Sequence, residues 1–231
     1  MKVCKPLKNG KEAEWQGVFY DYPSLREHKF GRINCSSVLL PDGRIAFFGG
    51  VSKYTGTNVL DMHGVKIVEI FDPYTLQWST HTPLNEVRNY HSFAILLTSG
   101  DILIGGGNAN GSQGRQNGNM NFEIYTPPYP KFEKIRFRLG KIRSYYNKIP
   151  VQVLENDIGI IRKFTLIRQY SFTHGFAYDQ RLYDVFEFSQ ENGTIILHLT
   201  ENKSLLPPGY YMLFAISIYN SVSEGEIIKI I

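Results

Sequence analysis

The sequence predicts an all-β protein in which repeated antiparallel sheets precede a β-sandwich. Three observations carry that reading. A unit of short strands and tight turns recurs along the first half of the chain. Residues 129–231 alternate strand-length apolar runs with Gly, Asn and Pro turns, and no stretch has a convincing helical period.

The repeat comes first. Leu39-Leu40-Pro41-Asp42-Gly43-Arg44-Ile45, closed by Gly49-Gly50, matches Leu96-Leu97-Thr98-Ser99-Gly100-Asp101-Ile102, closed by Gly106-Gly107, at an offset of 57. Glu69-Ile70-Phe71-Asp72-Pro73 matches Glu123-Ile124-Tyr125-Thr126-Pro127 at an offset of 54. A period of this length, with strands joined at Asp-Gly and Ser-Gly turns, predicts blades of a kelch-type β-propeller. The glycine pair marks the end of a buried strand where backbones approach closely, and Trp78 is placed at the outer part of its blade.

A third, partial copy precedes these, since Phe19-Tyr20-Asp21-Tyr22-Pro23-Ser24-Leu25 resembles Ile70-Phe71-Asp72-Pro73-Tyr74-Thr75-Leu76. The expected organisation is a partial blade or irregular segment over 1–31, two blades over 32–128 and an immunoglobulin-like sandwich over 129–231. A closed ring needs ~4 to 8 blades. Two fuller ones leave open strand edges, so the missing blades are expected from a longer parent or another chain.

In the last segment, Val151–Leu154, Lys163–Ile167, Val185–Phe188, Thr194–Leu199, Tyr210–Ile218 and Ile227–Ile231 read as strands at sandwich-like spacing, and 136–143 reads as a basic loop. Pro207-Pro208-Gly209 sets a turn. After it Tyr211, Leu213 and Ala215 alternate with Tyr210, Met212 and Phe214 across a strand.

Composition narrows the function classes. With 42% hydrophobic and 14% aromatic residues in 231, the chain has the material for packed cores. Lys+Arg 25 against Asp+Glu 21 gives +4 with no basic run gathered on one face, which disfavours nucleic acid as a partner. Cys4 and Cys35 make no disulfide framework and no C-x-x-C motif. No stretch approaches the ~18 apolar residues of a membrane span, and Met1–Pro6 lacks the apolar run of a signal peptide.

Three residues stand out by type and order as candidates for a shared site: Tyr90 and His91 in Arg88-Asn89-Tyr90-His91-Ser92, and His174 in Thr173-His174 upstream of Asp179-Gln180-Arg181. Neighbours in a regular strand point to opposite faces, so Tyr90 and His91 face one site only at an irregular strand start. Against this stands a structural reading. Blades of this type carry an R-x-x-H-like segment whose histidine makes structural hydrogen bonds, and His174 alone reads as a satisfied surface histidine. His28, His63, His81 and His198 are assigned to structure or solvent. The Gly- and amide-rich stretch 105–119 reads as a blade connection.

These segments, with Pro207-Pro208-Gly209-Tyr210-Tyr211-Met212-Leu213-Phe214, resemble in type and order the carboxyl-terminal half of the galactose oxidase and glyoxal oxidase family. The resemblance extends over about residues 32–231. It implies a copper radical oxidase, a secreted protein that oxidises a primary alcohol or aldehyde with O2 and releases H2O2. Copper in that family is held by two histidines and two tyrosines, one axial and one joined through a thioether to a cysteine. By resemblance Tyr90 is the axial tyrosine, His91 one histidine, and His174 the histidine delivered by the sandwich.

One departure is decisive. The family's radical tyrosine sits in an R-x-Y-x-S-S segment, and the matching stretch here is Arg32-Ile33-Asn34-Cys35-Ser36-Ser37, with Asn34 in the tyrosine's place. The two-electron oxidation draws one electron into copper and one into the modified tyrosine, and a carboxamide cannot store one. Neither cysteine has the setting of the thioether partner. The aromatic that stacks over the radical has no clear match in Val51-Ser52-Lys53, with Tyr54 reaching it only by a local shift. The expectation is a copper-binding relative without the Tyr-Cys radical cofactor and without turnover on its own. The alternative is a non-catalytic module recognising glycans or protein.

Overall fold

A computed structural model of the chain describes residues 2–5, 14–17, 32–51, 64–107, 120–132, 134–141 and 143–231. The partial copy at 19–25, His28, Tyr54, His63 and most of the amide-rich stretch lie outside the described residues. Strands β1 (Lys2–Lys5) and β2 (Glu14–Gly17) form an antiparallel pair.

The two repeats fold as up-and-down antiparallel sheets. The first has four strands in sequence order: β3 (Ser36–Leu39), β4 (Ile45–Phe48), β5 (Val68–Asp72) and β6 (Gln77–His81). The second has three, β7 (Ser92–Leu96), β8 (Ile102–Gly106) and β9 (Phe122–Tyr125), again in order. Register pairs Leu39 with Ile45 and Leu96 with Ile102, so the offset of 57 read in the sequence is also the structural offset. Trp78 lies on the outermost strand of its sheet, 5.2 Å from the ring of Phe47 and 5.0 Å from that of Phe71.

A buried Arg–Glu pair is repeated with the strands. Arg32 donates to Gly49 O and Ile67 O and pairs with Glu69 at 2.6 Å. Arg88 donates to Gly106 O, to Asn121 O and Oδ1, and to Glu123 Oε1. Each guanidinium, held between a glycine-pair carbonyl and a strand carboxylate, fixes the segment entering the first strand. Buried donors left without such acceptors would be costly.

The remainder is the sandwich. Its strands are β10 (Phe137–Leu139), β11 (Ser144–Tyr145), β12 (Lys148–Val153), β13 (Ile161–Arg168), β14 (Ser171–Thr173), β15 (Phe176–Tyr178), β16 (Leu182–Val185), β17 (Phe188–Glu191), β18 (Thr194–His198), β19 (Gly209–Ser217) and β20 (Glu226–Ile230), with one turn of helix α1 (Glu155–Ile158). Sheet β10-β12-β18-β17 faces sheet β11-β20-β19-β13-β16, and β14-β15 is a separate hairpin.

Two sequence expectations are corrected. The strand expected over Val185–Phe188 is broken, because β16 ends at Val185 in one sheet and β17 starts at Phe188 in the other; the chain changes sheets at Phe186-Glu187. The loop expected over 136–143 contains β10; from 134 to 139 the buried Ile135 and Leu139 and the half-buried Phe137 alternate with the exposed cations Lys134, Arg136 and Arg138, a period of two that charge had masked.

Strand β19 binds the two halves together. Tyr211, Leu213 and Ala215 enter the sandwich core with Phe164, Leu166 and Ile228. Met212, Phe214 and Ile216 enter a second core with Val38, Ala46, Ala94 and Ile104 of the two repeated sheets. The alternation read after Pro207-Pro208-Gly209 is thus real, and both of its faces are buried.

The glycine pairs are needed for close approach. A Cβ on Gly49 (φ +65°) would lie 2.0 Å from Arg88 O, whereas one on Gly193 (φ +79°) would meet nothing within 4 Å. Gly193→Ala is therefore expected to cost only the left-handed strain of about 1 kcal/mol. Gly49→Ala, which also collides with backbone, is expected to cost more than about 3 kcal/mol. Urea unfolding of both variants measures the difference.

Candidate metal centre

The segment before β7 is a turn, not a strand, closed by Ser92 N donating to Asn89 O at 2.9 Å. Arg88 and Asn89 are buried beneath it, and His91 adopts φ +64°, a left-handed conformation that turns consecutive side chains away from the strand alternation. Tyr90 and His91 are thereby both exposed, with ring centres 4.1 Å apart.

His174 arrives from the sandwich. The connection between paired strands β13 and β16 is drawn out into the β14-β15 hairpin, with Thr173 opposite Phe176. The two turn residues, His174 (φ +57°) and Gly175 (φ +86°), are both left-handed, the requirement of a type I′ turn. Its ring centre lies 4.9 Å from that of His91 and 5.9 Å from that of Tyr90.

The hairpin is held by one residue at each of its flanks. Tyr170 donates its hydroxyl to Ala94 O at 3.3 Å and accepts from Leu96 N at 3.2 Å, on the free edge of β7. Gln180 donates from Nε2 to Ser37 O at 2.9 Å and accepts at Oε1 from Leu39 N at 3.0 Å, on the free edge of β3. Ser37 and Ala94, like Leu39 and Leu96, are 57 apart, so the two clamps grip the same register of successive repeats. Gln180 was part of the sequence signal, but neither its role nor that of Tyr170 was visible there, because both act on backbone more than 70 residues away.

Asn34 adopts φ +57° just ahead of β3, the register position that His91 occupies ahead of β7. Its main chain abuts the hairpin: a Cβ on Gly175 would lie 3.5 Å from Asn34 O. Cys35 follows as a free thiol, its pKa raised by burial against the opposing pull of Arg32. His81 and His198 lie apart from this site, hydrogen bonded to Ser79 and Ser189.

The ring spacings can be tested against a shared metal. A nitrogen–metal bond near 2 Å puts an imidazole centre about 3 Å from the ion, so two imidazoles in cis on one ion have centres about 4.5 Å apart. The His91–His174 spacing of 4.9 Å fits that figure. Nδ1 of His174 is 2.7 Å from Thr173 Oγ1, which leaves Nε2 as the nitrogen open to a metal, an arrangement in which an outer partner fixes the imidazole. Among the described residues, no three His, Cys, Asp or Glu side chains gather, and the candidate donors here are two imidazoles and a phenol.

Fold and site together define an all-β protein with two blade-like sheets and a sandwich that sends a histidine hairpin across to a tyrosine–histidine turn. Residues 130–230 match the galactose oxidase-like early set domain. The chain is 26% identical over 205 residues to a galactose oxidase of Gibberella zeae, covering 87% of this chain and 30% of that protein. It is 27% identical over 224 residues to an aldehyde oxidase of Arabidopsis thaliana, covering 87% and 36%. The fold matches that of a fungal alcohol oxidase in complex with copper, with a TM-score of 0.79 over 99% of this chain and 47% of that one, at 22% identity. Residues 130–230 carry the family match, the chain as a whole is similar to the carboxyl-terminal region of these oxidases, and it spans 30% and 36% of the two curated relatives described. No helix among the described residues is long and apolar enough to cross a membrane.

Burial pushes the phenol of Tyr170 up to about 12 from its ordinary 10.0, against the lowering effect of its bond from Leu96 N. A phenol that ionises later in the folded state contributes stability that is complete below pH 10 and is lost as pH rises through 10 towards 12. Tyr170→Phe is expected to lower stability at neutral pH by about 1 kcal/mol for the lost hydrogen bonds. It is also expected to flatten the alkaline decline, and urea titrations at several pH values measure both effects.

Proposed function

We propose that this chain is a copper-binding protein of the galactose oxidase and glyoxal oxidase type in which Tyr90, His91 and His174 hold Cu(II). We also propose that it does not turn over alone. In this reading residues 32–128 are two kelch-type propeller blades that supply Tyr90 and His91, and residues 129–231 are the sandwich that supplies His174. The observation that carries it is the convergence of three rings, at 4.1, 4.9 and 5.9 Å, from segments separated by more than 80 residues. Three N and O donors of this kind suit Cu(II).

Copper, when bound, supplies an acceptor for one electron and a Lewis acid for a substrate oxygen. The chain's residues do the rest of what this site can do. Thr173 fixes the ring of His174, the Tyr170 and Gln180 clamps fix the hairpin, and Arg88 fixes the turn carrying Tyr90 and His91. All three rings are exposed, so a small alcohol, aldehyde or carbohydrate has access to them. In the relatives' type of reaction, a primary alcohol and O2 give an aldehyde and H2O2, a transfer of two electrons and two protons. The family's second electron store is a tyrosine, and Asn34 occupies its place with a side chain that has no accessible one-electron oxidation.

Copper titration of the full chain, followed by electron paramagnetic resonance, is expected to give about one Cu(II) per chain. Thr173→Ala is expected to weaken binding about 10- to 100-fold, as loss of an outer partner does, and His91→Ala or His174→Ala by more than that. Wild-type affinity in both histidine variants would remove the site. The copper-loaded chain is expected to release no peroxide with galactose or methylglyoxal; measurable release would overturn the role given to Asn34 while leaving the copper site standing.

A further inference from the structure

A second site lies on another part of the molecule, in a cleft of about 580 Å³ between the turns of the first repeated sheet and the sandwich. Its walls include Tyr74 from the β5-β6 turn, Arg162 and Lys163 from β13, Phe186 from the sheet-changing bend, and Asn220. That volume falls within the ~300–1,000 Å³ typical of small-molecule sites.

The unusual group there is Lys163. Its side chain is only 2% exposed, yet it lines the cleft. An ammonium has three donor protons. Among the described residues, one acceptor is present, Asp184 Oδ1 at 2.7 Å. Asp184 is itself crowded with donors, since it also accepts from Thr165 and from the Tyr74 hydroxyl. The ammonium lies 5.8 Å from the ring centre of Tyr74 and 5.8 Å from that of Phe186, which helps hold the charge but gives it no lone pair. A ligand oxygen in the cleft would give the buried cation a second acceptor.

The charges around it favour an anion. The two acids of the lining are already engaged: Asp42 by Arg44, and Asp72 by the backbone N–H groups of Tyr74 and Thr75. Arg162 is exposed, and its charge acts on the Tyr74 phenol beside the cleft. An inorganic anion would use neither of the two aromatic rings, which are 66% and 64% exposed at Tyr74 and Phe186. One side of the Tyr74 ring rests on Gly43, where a Cβ would collide at 2.9 Å, and its hydroxyl is held by Asp184, so the ring is a fixed platform.

We propose that this cleft binds a carboxylate-bearing sugar ring, its acid group directed to Lys163 and Arg162 and its ring against Tyr74 and Phe186. The ligand is either a free sugar acid or a unit of an acidic polysaccharide. The proposal is independent of the copper reading.

Calorimetric titration of the full chain with galacturonic acid, its trimer, a neutral galactose trimer and uridine monophosphate tests it. An acidic sugar is expected to bind, the neutral trimer about tenfold more weakly or not at all, and Arg162→Ala and Phe186→Ala each to weaken binding by about tenfold or more. Binding of the monomer as tight as that of the trimer assigns a free sugar acid, and binding of the trimer alone assigns a polymer; either supports the site. Both substitutions are at exposed positions, and circular dichroism checks that the variants fold. His91→Ala is expected to leave this binding unchanged. Equal binding of the neutral trimer, preference for the nucleotide, no change in either cleft variant, or no binding of any acidic sugar would overturn the proposal.

Discussion

The candidate centre depends on two side chains that never touch it. Tyr170 and Gln180 each present a donor and an acceptor to a bare strand edge, and each replaces the neighbouring strand that β7 and β3 lack on that side. Because the edges belong to repeated sheets in one register, the two clamps form a bracket of fixed span, and the hairpin between them can project His174 to only one place. A turn of two left-handed residues, one of them not glycine, costs of order 1–3 kcal/mol per strained position. The bracket is what lets a histidine stay at such a position without the hairpin relaxing away.

The bracket in turn needs the sandwich to be immobile against the repeats, and β19 provides that. A strand with one buried face would let the two halves rock about their contact. With Leu213 in one core and Phe214 in the other, sliding β19 by one residue would exchange the two apolar sets and disrupt both cores together. Gly225 lies on the Phe214 ring, where a Cβ would come within 2.6 Å, and its N–H reaches Thr98 O in the second repeat. Packing specificity in the interior thus becomes positional accuracy at the exposed rings.

Much of this was legible where the physics is local. The glycine pairs and Asp-Gly turns gave the repeat because left-handed backbone restricts residue type, and Tyr211 to Ala215 gave β19 because burial in a strand has period two. Tyr90, His91 and His174 were singled out by residue type and order, and the structure brings all three together. What stayed hidden is non-local. The clamps of Tyr170 and Gln180 are side chain–backbone bonds whose partners depend on tertiary placement, and the break at Phe186-Glu187 depends on which sheet each end joins. Strand β10 was hidden for a different reason, since its exposed cations look like a solvated loop until Ile135 and Leu139 are seen to alternate with them.

The repeat also explains how the side chain at position 34 can vary without disturbing its surroundings. Asn34 and His91 are the same left-handed residue of successive sheets, each following a buried arginine locked to a glycine-pair carbonyl and a strand glutamate. Asparagine is among the residues that tolerate φ > 0 best, so the backbone at 34 keeps its shape at little cost. The position contributes a carbonyl to the floor under Gly175 whatever its side chain is. The local fold therefore depends on the arginine, the glycines and the left-handed backbone more than on the side chain at 34. Holding a metal at the three rings and storing an electron at position 34 would be separable properties of this architecture, because the first draws on the turn and the hairpin and the second only on the side chain at 34.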